Sequence, residues 1–314
     1  MTIQPARVAV LIPCYNEEAT IERVVADFRA ALPTADIYVY DNNSKDRTVE
    51  VARQAGAIVR TETRQGKGNV VRRMFADIEA DIYILADGDD TYDAAAAPNL
   101  ARVLVAEGYD VVSGKRIATG QAAYRAGHVF GNRMLTGLTA MMFRVKIADL
   151  LTGYRVMSRR FVKSFPFTAE GFGIETELTV HAVRLLMPTV ELDTTYKERP
   201  EGSVSKLNTW RDGFRILFTI ALLVREERPL VFFSCIFLLL TIASLLVGAP
   251  VVYEYAKTGL VPRLPSAVLS TALMVLAFLS LASGLILDTV TRGRWDAKRM
   301  AYLAIPGPQG LRLP

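Results

Sequence analysis

Residues 81–93 read DIYILADGDDTYD and join an apolar run to a cluster of acids. The run DIYIL (81–85) has the composition of a buried strand. Four carboxylates follow within seven positions: Asp87, Asp89, Asp90 and Asp93. Two carboxylates about 5 Å apart in water repel each other by a little under 1 kcal/mol, and by several times more where water is partly excluded. Basic side chains, full solvation or a bound cation must therefore offset this charge.

The segment before and around this stretch alternates strand-like and helical patterns. The strands are predicted at 8–12, 37–41, 57–60, 81–86 and 110–114, and the helices at 17–32, 45–55, 67–79 and 94–106. This rhythm predicts an α/β domain with a mostly parallel sheet and helices on both faces. Ligands of such sheets bind beyond the carboxyl ends of the strands. The segments that follow the first, second and fourth strands are therefore candidate binding segments: 13–17, 41–43 and 87–89.

Two runs of 24 residues near the C-terminus, 230–253 and 264–287, contain no charged residue. As helices they would each be about 36 Å long, enough to cross a bilayer core of about 30 Å. The alternative is a buried helical hairpin in a soluble core. Basic residues are concentrated in the outer flanks of the two runs: Arg225, Arg228, Arg292, Arg294, Lys298 and Arg299. The positive-inside rule then places both flanks and the N-terminal region in the cytoplasm.

The 314-residue chain has a net charge of +5 and only two cysteines. Beside a membrane anchor, this charge indicates anionic lipid or phosphate ligands rather than nucleic acid. Two cysteines provide no disulfide framework. The apolar run 8–12 is too short for a signal peptide and is interpreted as a strand. Residues 125–147 and 207–228 predict amphipathic helices, either at the membrane interface or facing a core. The tail after Met300 is expected to be disordered.

The acidic stretch alone is compatible with more than one chemistry. Calcium binding of the EF-hand type is excluded, because counting from Asp87 places Tyr92 where glycine is required and Pro98 where glutamate is required. An apolar strand followed by DxDxT also begins phosphohydrolases of the haloacid dehalogenase type, in which Asp87 would be the nucleophile and Asp89 an acid or base. The third possibility is an Asp-x-Asp that holds a divalent ion against the diphosphate of a nucleotide sugar. GKG (66–68) lacks the P-loop pattern, which excludes that class of NTPase.

Further segments surround DGDD (87–90) in a fixed order: PCYNEE (13–18), DNNSKDRT (41–48), GKG (66–68), SGKR (113–116), DLLTGYRVMSRR (149–160), EGFGIETELTVHA (170–182) and YKERPEGSVSK (196–206). Together with the two apolar runs, this set resembles the family-2 glycosyltransferases with the GT-A fold. The closer resemblance is to the polyprenyl-phosphate glycosyltransferases, the group that contains dolichyl-phosphate mannose synthase. It covers about residues 6–290.

The resemblance implies a membrane-anchored inverting enzyme that uses Mg²⁺ or Mn²⁺. Such an enzyme moves a sugar from a UDP- or GDP-linked donor to polyprenyl phosphate, for cell-envelope glycan or glycoprotein assembly. The implied organisation is a cytoplasmic GT-A domain, a juxtamembrane helix, a two-span hairpin and a basic cytoplasmic tail, at 1–206, 207–228, 229–291 and 292–314 respectively. The group is also compatible with a homo-oligomer.

On the donor side, the resemblance implies a set of nucleotide-sugar-binding residues: Pro13, Tyr15, Asn16, Glu17, Asp41, Asn43, Lys67, Asp87 and Gly88. Asp87 and Asp89 are the implied metal ligands. From its type alone, Asp41 could accept a hydrogen bond from a base ring N–H or could serve as a turn acid. Members of the group often read DADxQ where this chain has DGDDT, so that Thr91 replaces a glutamine that can help bind the metal and Asp90 is an additional acid.

On the acceptor side, a phosphate monoester is already ionised near neutral pH, so it needs no general base. It must instead be held and aimed, which arginine and lysine do through charge-assisted hydrogen bonds. The resemblance places five residues against substrate phosphates: Arg116, Arg155, Arg199, Ser205 and Lys206. Ser203, Arg125 and Arg133 are further candidates, and for the two arginines a solvated or membrane-facing charge is an equal alternative. Asp89, Asp149 and Arg155 are the catalytic candidates, with Asp149 orienting the sugar or acting as a base.

Two rival functions remain open. A glycosyltransferase that acts on a lipid hydroxyl would need a general base, and Asp149 is the candidate for that role. An Asp-nucleophile phosphohydrolase would instead use Asp87, although about 80 residues of βα units precede the motif, which usually opens its domain.

Overall fold

The computed structural model describes residues 5–118, 137, 148–165, 173–197, 221–222 and 224–313. The chain divides into two compact units, one of Met1–Ile216 with Lys298–Pro314 and one of Leu217–Ala297. Most of the two predicted interface helices, at 125–147 and 207–228, lies outside the described residues.

The described part of the first unit contains one seven-stranded sheet in the order β3-β2-β1-β4-β6-β5-β7. The strands are β1 (Val8–Cys14), β2 (Asp36–Asp41), β3 (Ile58–Thr61), β4 (Ile82–Leu85), β5 (Val111–Ala118), β6 (Arg155–Ser158) and β7 (Thr189–Tyr196). The helices of this unit are α1 (Ile21–Ala31), α2 (Thr48–Gln54), α3 (Lys67–Asp77), α4 (Ala97–Glu107), α5 (Arg159–Ser164) and α6 (Ile174–Arg184). The prediction of a mostly parallel sheet with flanking helices is confirmed, and the five predicted strands correspond to β1–β5.

Apolar sequence explains why β1 lies in the middle of this sheet. All seven of its residues are buried, and it pairs in parallel with β2 on one side and β4 on the other. Helix α1 buries Ile21, Val24, Val25 and Phe28. These positions follow the i, i+3, i+4, i+7 spacing that forms one apolar face of a helix.

Strand β6 departs from the parallel pattern and shapes the site edge. It runs antiparallel to both of its neighbours, with Arg155 opposite Leu85 of β4 and Ser113 of β5. The first residue of an antiparallel strand lies at the edge where the parallel strands end. The loop 148–154 that precedes β6 is therefore delivered to the same edge as the acidic stretch 86–93.

The expectation that the tail after Met300 is disordered is wrong. Tyr302 is buried, and its hydroxyl donates to Asp110 Oδ2 at 2.9 Å. Asp110 is fully buried and also accepts hydrogen bonds from Ser158 Oγ at 2.6 Å and from Arg160, whose Nη2 lies 2.8 Å away. Further along, Arg312 forms a parallel β-bridge with Pro5. A buried carboxylate is costly unless donors surround it, and the tail supplies one of them.

The second unit contains the long apolar helix α7 (Pro229–Thr258) and all but the last six residues of the long apolar helix α8 (Leu264–Leu303). With 30 and 40 residues, both are long and apolar enough to cross a membrane. They contact each other at Ser244 and Ser270, where each hydroxyl donates to the other residue's carbonyl, at 2.8 and 2.9 Å. A Cβ on Gly248 would lie closer than van der Waals contact to Ser270 Oγ, which shows how closely the two helices approach.

We expect Tyr302→Phe to destabilise the protein by about 1–3 kcal/mol, because it removes one donor from a buried carboxylate. In a domain of this size, each kcal/mol lowers Tm by about 2–4 °C. Thermal unfolding of the purified full-length protein in detergent measures the change. Tyr253→Phe is the matched control, since Tyr253 is 61% exposed. Equal Tm values for the two variants would show that the tail does not stabilise the domain through Asp110.

Candidate active site

The turns that follow β1 and β2 bind each other. The Asn16 amide donates to Ser44 Oγ at 2.9 Å, and the Lys45 amide donates to Asn16 Oδ1 at 2.8 Å. The Glu17 amide donates to Thr48 Oγ1 at 2.8 Å. Asn16 has a φ of +55°, a conformation that asparagine adopts more readily than most residues. The predicted donor-binding turn after β1 therefore has a fixed shape.

Asp41 ends β2 and is buried, with both carboxylate oxygens accepting the Ser44 amide at 3.2 and 3.3 Å. The next residue, Asn42, lies in the candidate segment 41–43 but is not one of the predicted nucleotide-sugar-binding residues. Its side-chain amide donates to the Glu62 carbonyl at 2.8 Å, and its Oδ1 accepts the Gly66 amide at 2.6 Å. These bonds fasten the turn after β2 to the loop that leads into α3.

Lys67, the first residue of α3, lies between two carboxylates. Its Nζ is 2.5 Å from Asp87 Oδ1 and 2.6 Å from Glu175 Oε1. Burial lowers the pKa of Lys67, but the two carboxylates outweigh burial and raise that pKa above its ordinary value. Burial raises the pKa of Asp87; Lys67 opposes this, while the Asp89 and Glu175 carboxylates add to it. Lys67 therefore supplies part of the positive charge that the acidic stretch requires.

Asp89 is the more buried of the two predicted metal ligands, at 3% exposed. Its Oδ1 accepts Thr91 Oγ1 at 2.6 Å, so Thr91 orients this carboxylate. The Asp87 side chain is 28% exposed. The turn between them is tight, since a Cβ on Gly88 would lie 2.7 Å from Cys14 Sγ. Gly88 thus permits close packing of the turn against the end of β1.

The loop before β6 packs directly against Asp87. A Cβ on Gly153 would lie 2.8 Å from Asp87 Oδ2, too close for any other residue without a shift of that carboxylate. The Gly153 amide donates to Tyr92 Oη at 2.8 Å, and Thr152 Oγ1 donates to the Gly114 carbonyl at 2.7 Å. The loop is therefore bound both to the acidic stretch and to β5.

Asp149 and Arg116 form a two-point ion pair at this edge. Arg116 Nε lies 2.7 Å from Asp149 Oδ2, and Nη2 lies 2.8 Å from Oδ1. Burial lowers the pKa of Arg116, but Asp149 outweighs it and raises that pKa above its ordinary value. The Asp149 amide donates to Glu191 Oε1 at 3.0 Å, and the Arg116 guanidinium carbon lies 5.5 Å from the Tyr196 ring centroid. A predicted catalytic acid and a predicted phosphate ligand are thus brought into contact.

Arg155 is 2% exposed and donates to protein groups. Its Nη2 donates to the Leu150 carbonyl at 2.9 Å and to Thr179 Oγ1 at 2.8 Å, and its Nε donates to the Thr152 carbonyl at 3.1 Å. These bonds hold the loop that carries Asp149 against α6. The described contacts of Arg155 are with protein groups, and its direct contact with a substrate phosphate, which the resemblance implies, stays a prediction.

The remaining predicted residues divide into two groups. Pro13 is buried in β1, Tyr15 is half-buried in the following turn, and Asn43, with a φ of +65°, donates to the Thr63 carbonyl at 2.9 Å. These three join the donor side of the edge. The others lie outside the described residues: Arg125, Arg133, Arg199, Ser203, Ser205 and Lys206.

The carboxylates at this edge suit a divalent ion that completes its shell with substrate. Within the ranges that the structure describes, no three His, Cys, Asp or Glu side chains form a metal cage. Mg²⁺ typically takes only one or two carboxylates and completes its shell with water and substrate phosphate oxygens. Asp87 and Asp89 are hard oxygen ligands of this kind, and Thr91 orients the second of them. Asp93 is different, since its Oδ1 accepts the Ala95 amide and caps the following helical turn.

Comparison with known proteins agrees with this arrangement. The model of the family "Glycosyl transferase family 2" matches residues 9–165. Glycosyltransferase AglJ of Haloferax volcanii is 36% identical over 80% of this chain and 83% of its own length. The dolichyl-phosphate hexose transferase of the same organism is 31% identical over 70% of this chain and 95% of its own length.

A solved structure shares the fold. It is glucosyl-3-phosphoglycerate synthase from Mycobacterium tuberculosis in complex with Mn²⁺, UDP and glucosyl-3-phosphoglycerate, which aligns over 70% of this chain and 79% of its own with a TM-score of 0.55 and 25% identity. The chain therefore belongs to glycosyl transferase family 2 and is a glycosyltransferase with the GT-A fold. The phosphohydrolase interpretation is set aside by this assignment.

We expect Thr91→Val to weaken Mn²⁺ binding by about 10–100-fold, the usual effect of removing a group that orients a metal ligand. Valine keeps the shape of threonine and the backbone amide that donates to Asp89, but it lacks the donating hydroxyl. Isothermal titration with Mn²⁺ in the presence of UDP or GDP measures the change. Thr91→Ser keeps the hydroxyl and should bind Mn²⁺ like the wild type. Unaltered binding by Thr91→Val would show that the hydroxyl does not orient a metal ligand.

Proposed function

We propose that this glycosyltransferase moves one sugar from a UDP- or GDP-linked donor to polyprenyl phosphate, with inversion at the anomeric carbon. The observation that carries the proposal is the Arg116–Asp149 pair. Both oxygens of Asp149 accept guanidinium N–H groups. A lipid hydroxyl would need Asp149 to take its proton, whereas a lipid phosphate needs a cation such as Arg116. A relative named dolichyl-phosphate hexose transferase supports the same acceptor class.

On the donor side, Asp41 lies at the end of β2 and can accept a hydrogen bond from a ring N–H of the base. Its burial and its bond to the Ser44 amide fix the direction of its carboxylate. Asp87 and Asp89 would hold Mg²⁺ or Mn²⁺, and the relative solved with Mn²⁺ and UDP supports this. When bound, such an ion stabilises the negative charge that develops on the departing diphosphate. Lys67 supplies a second positive charge beside Asp87.

On the acceptor side, Arg116 binds the lipid phosphate while Asp149 holds the guanidinium plane in place. Arg125, Arg133, Arg199, Ser203, Ser205 and Lys206 remain proposed phosphate ligands. A phosphate oxygen attacks the anomeric carbon from the face opposite the leaving group. The new C–O bond forms as the bond to the diphosphate breaks, through a transition state with oxocarbenium character. The nucleoside diphosphate leaves, and the product is a polyprenyl-phosphate-linked monosaccharide.

A membrane anchor suits an enzyme whose acceptor is a lipid phosphate. Helices α7 and α8 are long and apolar enough to span a bilayer, which would keep the enzyme where the lipid phosphate resides. We propose that the hairpin at 229–291 crosses the membrane twice. The basic flanks would then place the domain at 1–206 and the segment 292–314 in the cytoplasm.

The test is transfer by the full-length enzyme in detergent with Mn²⁺, a panel of UDP- and GDP-sugars and a short polyprenyl phosphate. Mass spectrometry should detect a glycosyl-phospholipid with one donor of the panel. Loss of a group that only orients a metal ligand typically costs roughly 10–100-fold, and Asp89→Asn should reduce the transfer rate by more than that, because it alters the ligand itself. Asp36→Asn is the control, since Asp36 is exposed at the start of β2. No product with any donor, or full activity of Asp89→Asn, would refute the proposal.

The variant Asp149→Asn distinguishes a lipid phosphate acceptor from the alternative acceptor, a lipid hydroxyl. With a phosphate acceptor, this variant should keep measurable transfer and raise the acceptor KM by about tenfold, because Arg116 loses one charge-assisted partner. With a hydroxyl acceptor, it should lose transfer completely. The product distinguishes the two acceptors as well, since mild acid cleaves a glycosyl phosphate but leaves the glycosidic bond to a lipid hydroxyl intact.

A further inference from the structure

Asp90 is an additional acid that the donor and acceptor chemistry above does not use. It is 5% exposed, and its backbone has a φ of +56°. Its two carboxylate oxygens face different cations, with Arg23 Nη1 3.2 Å from Oδ2 and Lys197 Nζ 3.6 Å from Oδ1. Arg23 belongs to α1, and Lys197 directly follows β7. Asp90 therefore joins the segment 87–91, which carries the predicted metal ligands and is called the metal-binding turn below, to two segments that are distant in sequence.

The Lys197 connection continues in the backbone. The Lys197 amide donates to the Thr91 carbonyl at 2.9 Å, and Tyr92 forms an antiparallel bridge with Tyr196. The rings of these two tyrosines also pack, with centroids 5.5 Å apart at 62°. The acidic stretch and the end of β7 are thus fastened to each other at three successive points: an ion pair, a backbone hydrogen bond and a ring contact.

The end of β7 also carries the surface on which Arg116 rests. The Arg116 guanidinium lies over the Tyr196 ring, and Arg116 pairs with Thr194 in the parallel β5–β7 ladder. A displacement of Tyr196 relative to the acidic stretch would therefore move Arg116 relative to Asp87 and Asp89. In the proposed reaction, Arg116 holds the acceptor phosphate, and Asp87 and Asp89 are the residues on the side of the donor diphosphate.

We propose that Asp90 is a positioning residue that fixes the distance between the metal-binding turn and Arg116, acting through Lys197 and Tyr196. The inference rests on the proposed function and adds a determinant of acceptor alignment to it. Arg23 and Lys197 each place a positive charge beside this buried third acid. A buried carboxylate that loses a partner is destabilised, so removal of one of these cations should disturb the turn.

The charge at position 90 can be removed by a residue that still adopts the positive φ of this position. Asparagine adopts positive φ about as readily as aspartate, so Asp90→Asn removes the charge and keeps the turn. Lys197→Met removes the partner on the β7 side. Asp193→Asn is the matched control, because Asp193 also pairs with a lysine, Lys115 at 2.9 Å, but that pair stays within the β5–β7 ladder.

The experiment measures steady-state transfer and donor binding by the full-length enzyme in detergent, using the donor that the wild type accepts. Asp90→Asn should lower kcat/KM for the polyprenyl phosphate by about tenfold. Binding of Mn²⁺ with UDP or GDP, measured by isothermal titration, should change less than about twofold. Lys197→Met should behave in the same way, and the double variant should be no worse than either single variant, as expected for residues that act as a unit.

The outcomes separate this inference from the proposed function. If the wild type transfers sugar and Asp90→Asn keeps wild-type kinetics with an unchanged Tm, only the positioning role is refuted. Equal losses in nucleotide binding and in transfer would also refute it, since they indicate damage to the metal-binding turn itself. A wild type without transfer activity refutes the proposed function. Wild-type behaviour of Asp193→Asn, with selective loss in the other two variants, supports the inference.

Discussion

Charge balance at the carboxyl edge of the sheet is the constraint on which the site depends. Each acid of the stretch has a partner of its own. Lys67 lies beside Asp87, and the Thr91 hydroxyl donates to Asp89. Two cations lie beside Asp90, and Asp93 accepts a backbone amide of the helical turn that follows it. Because the interior screens charge poorly, such compensation cannot be left to solvent. The edge tolerates this density of carboxylates because α1, α3 and the residue that follows β7 each present a cation to it.

The antiparallel strand β6 makes the second half of the site possible. A purely parallel sheet would bring only strand ends to the edge, whereas β6 brings the loop before it, with Asp149 and Gly153. Gly153 sits against Asp87, and Asp149 reaches Arg116 on β5. One reversed strand thereby places the proposed acceptor residues beside the donor residues. Arg155 then fixes this loop from within the core.

The sequence predicted the first five strands well, because each is a short apolar run followed by turn residues. It did not predict β6 and β7. Strand β6 begins at Arg155, which was interpreted as a phosphate ligand. Strand β7 (TVELDTTY) is mostly half-exposed and polar, so the periodicity of its apolar residues gives little indication of a strand. The ordered tail was also missed, since IPGPQG is typical of disordered chain. The partners that order the residues around it, Asp110 for Tyr302 and Pro5 for Arg312, are distant in the sequence.

Within the site, residue types predicted which groups are present but not how they pair. Asp149 and Arg116 were assigned separate roles, and their contact depends on the register of β5 with β6. Asn42 lies in the candidate segment 41–43, but it received no role of its own because nothing in DNNS distinguishes the buried asparagine from its exposed neighbour. Asp90 and Thr91 were recognised as departures from the group pattern. Their partners, Lys197 and Asp89, became evident only from the three-dimensional arrangement.

The most direct test of this account is a crystal structure with Mn²⁺ and the nucleoside diphosphate of the accepted donor, with the ion located by its anomalous scattering. The account predicts one Mn²⁺ peak within about 2.0–2.6 Å of an Asp89 carboxylate oxygen and of a diphosphate oxygen. It also predicts that Asp90 remains paired with Arg23 and Lys197. A peak at Asp90, or a nucleotide bound at this edge without contact between the ion and Asp89, would contradict it.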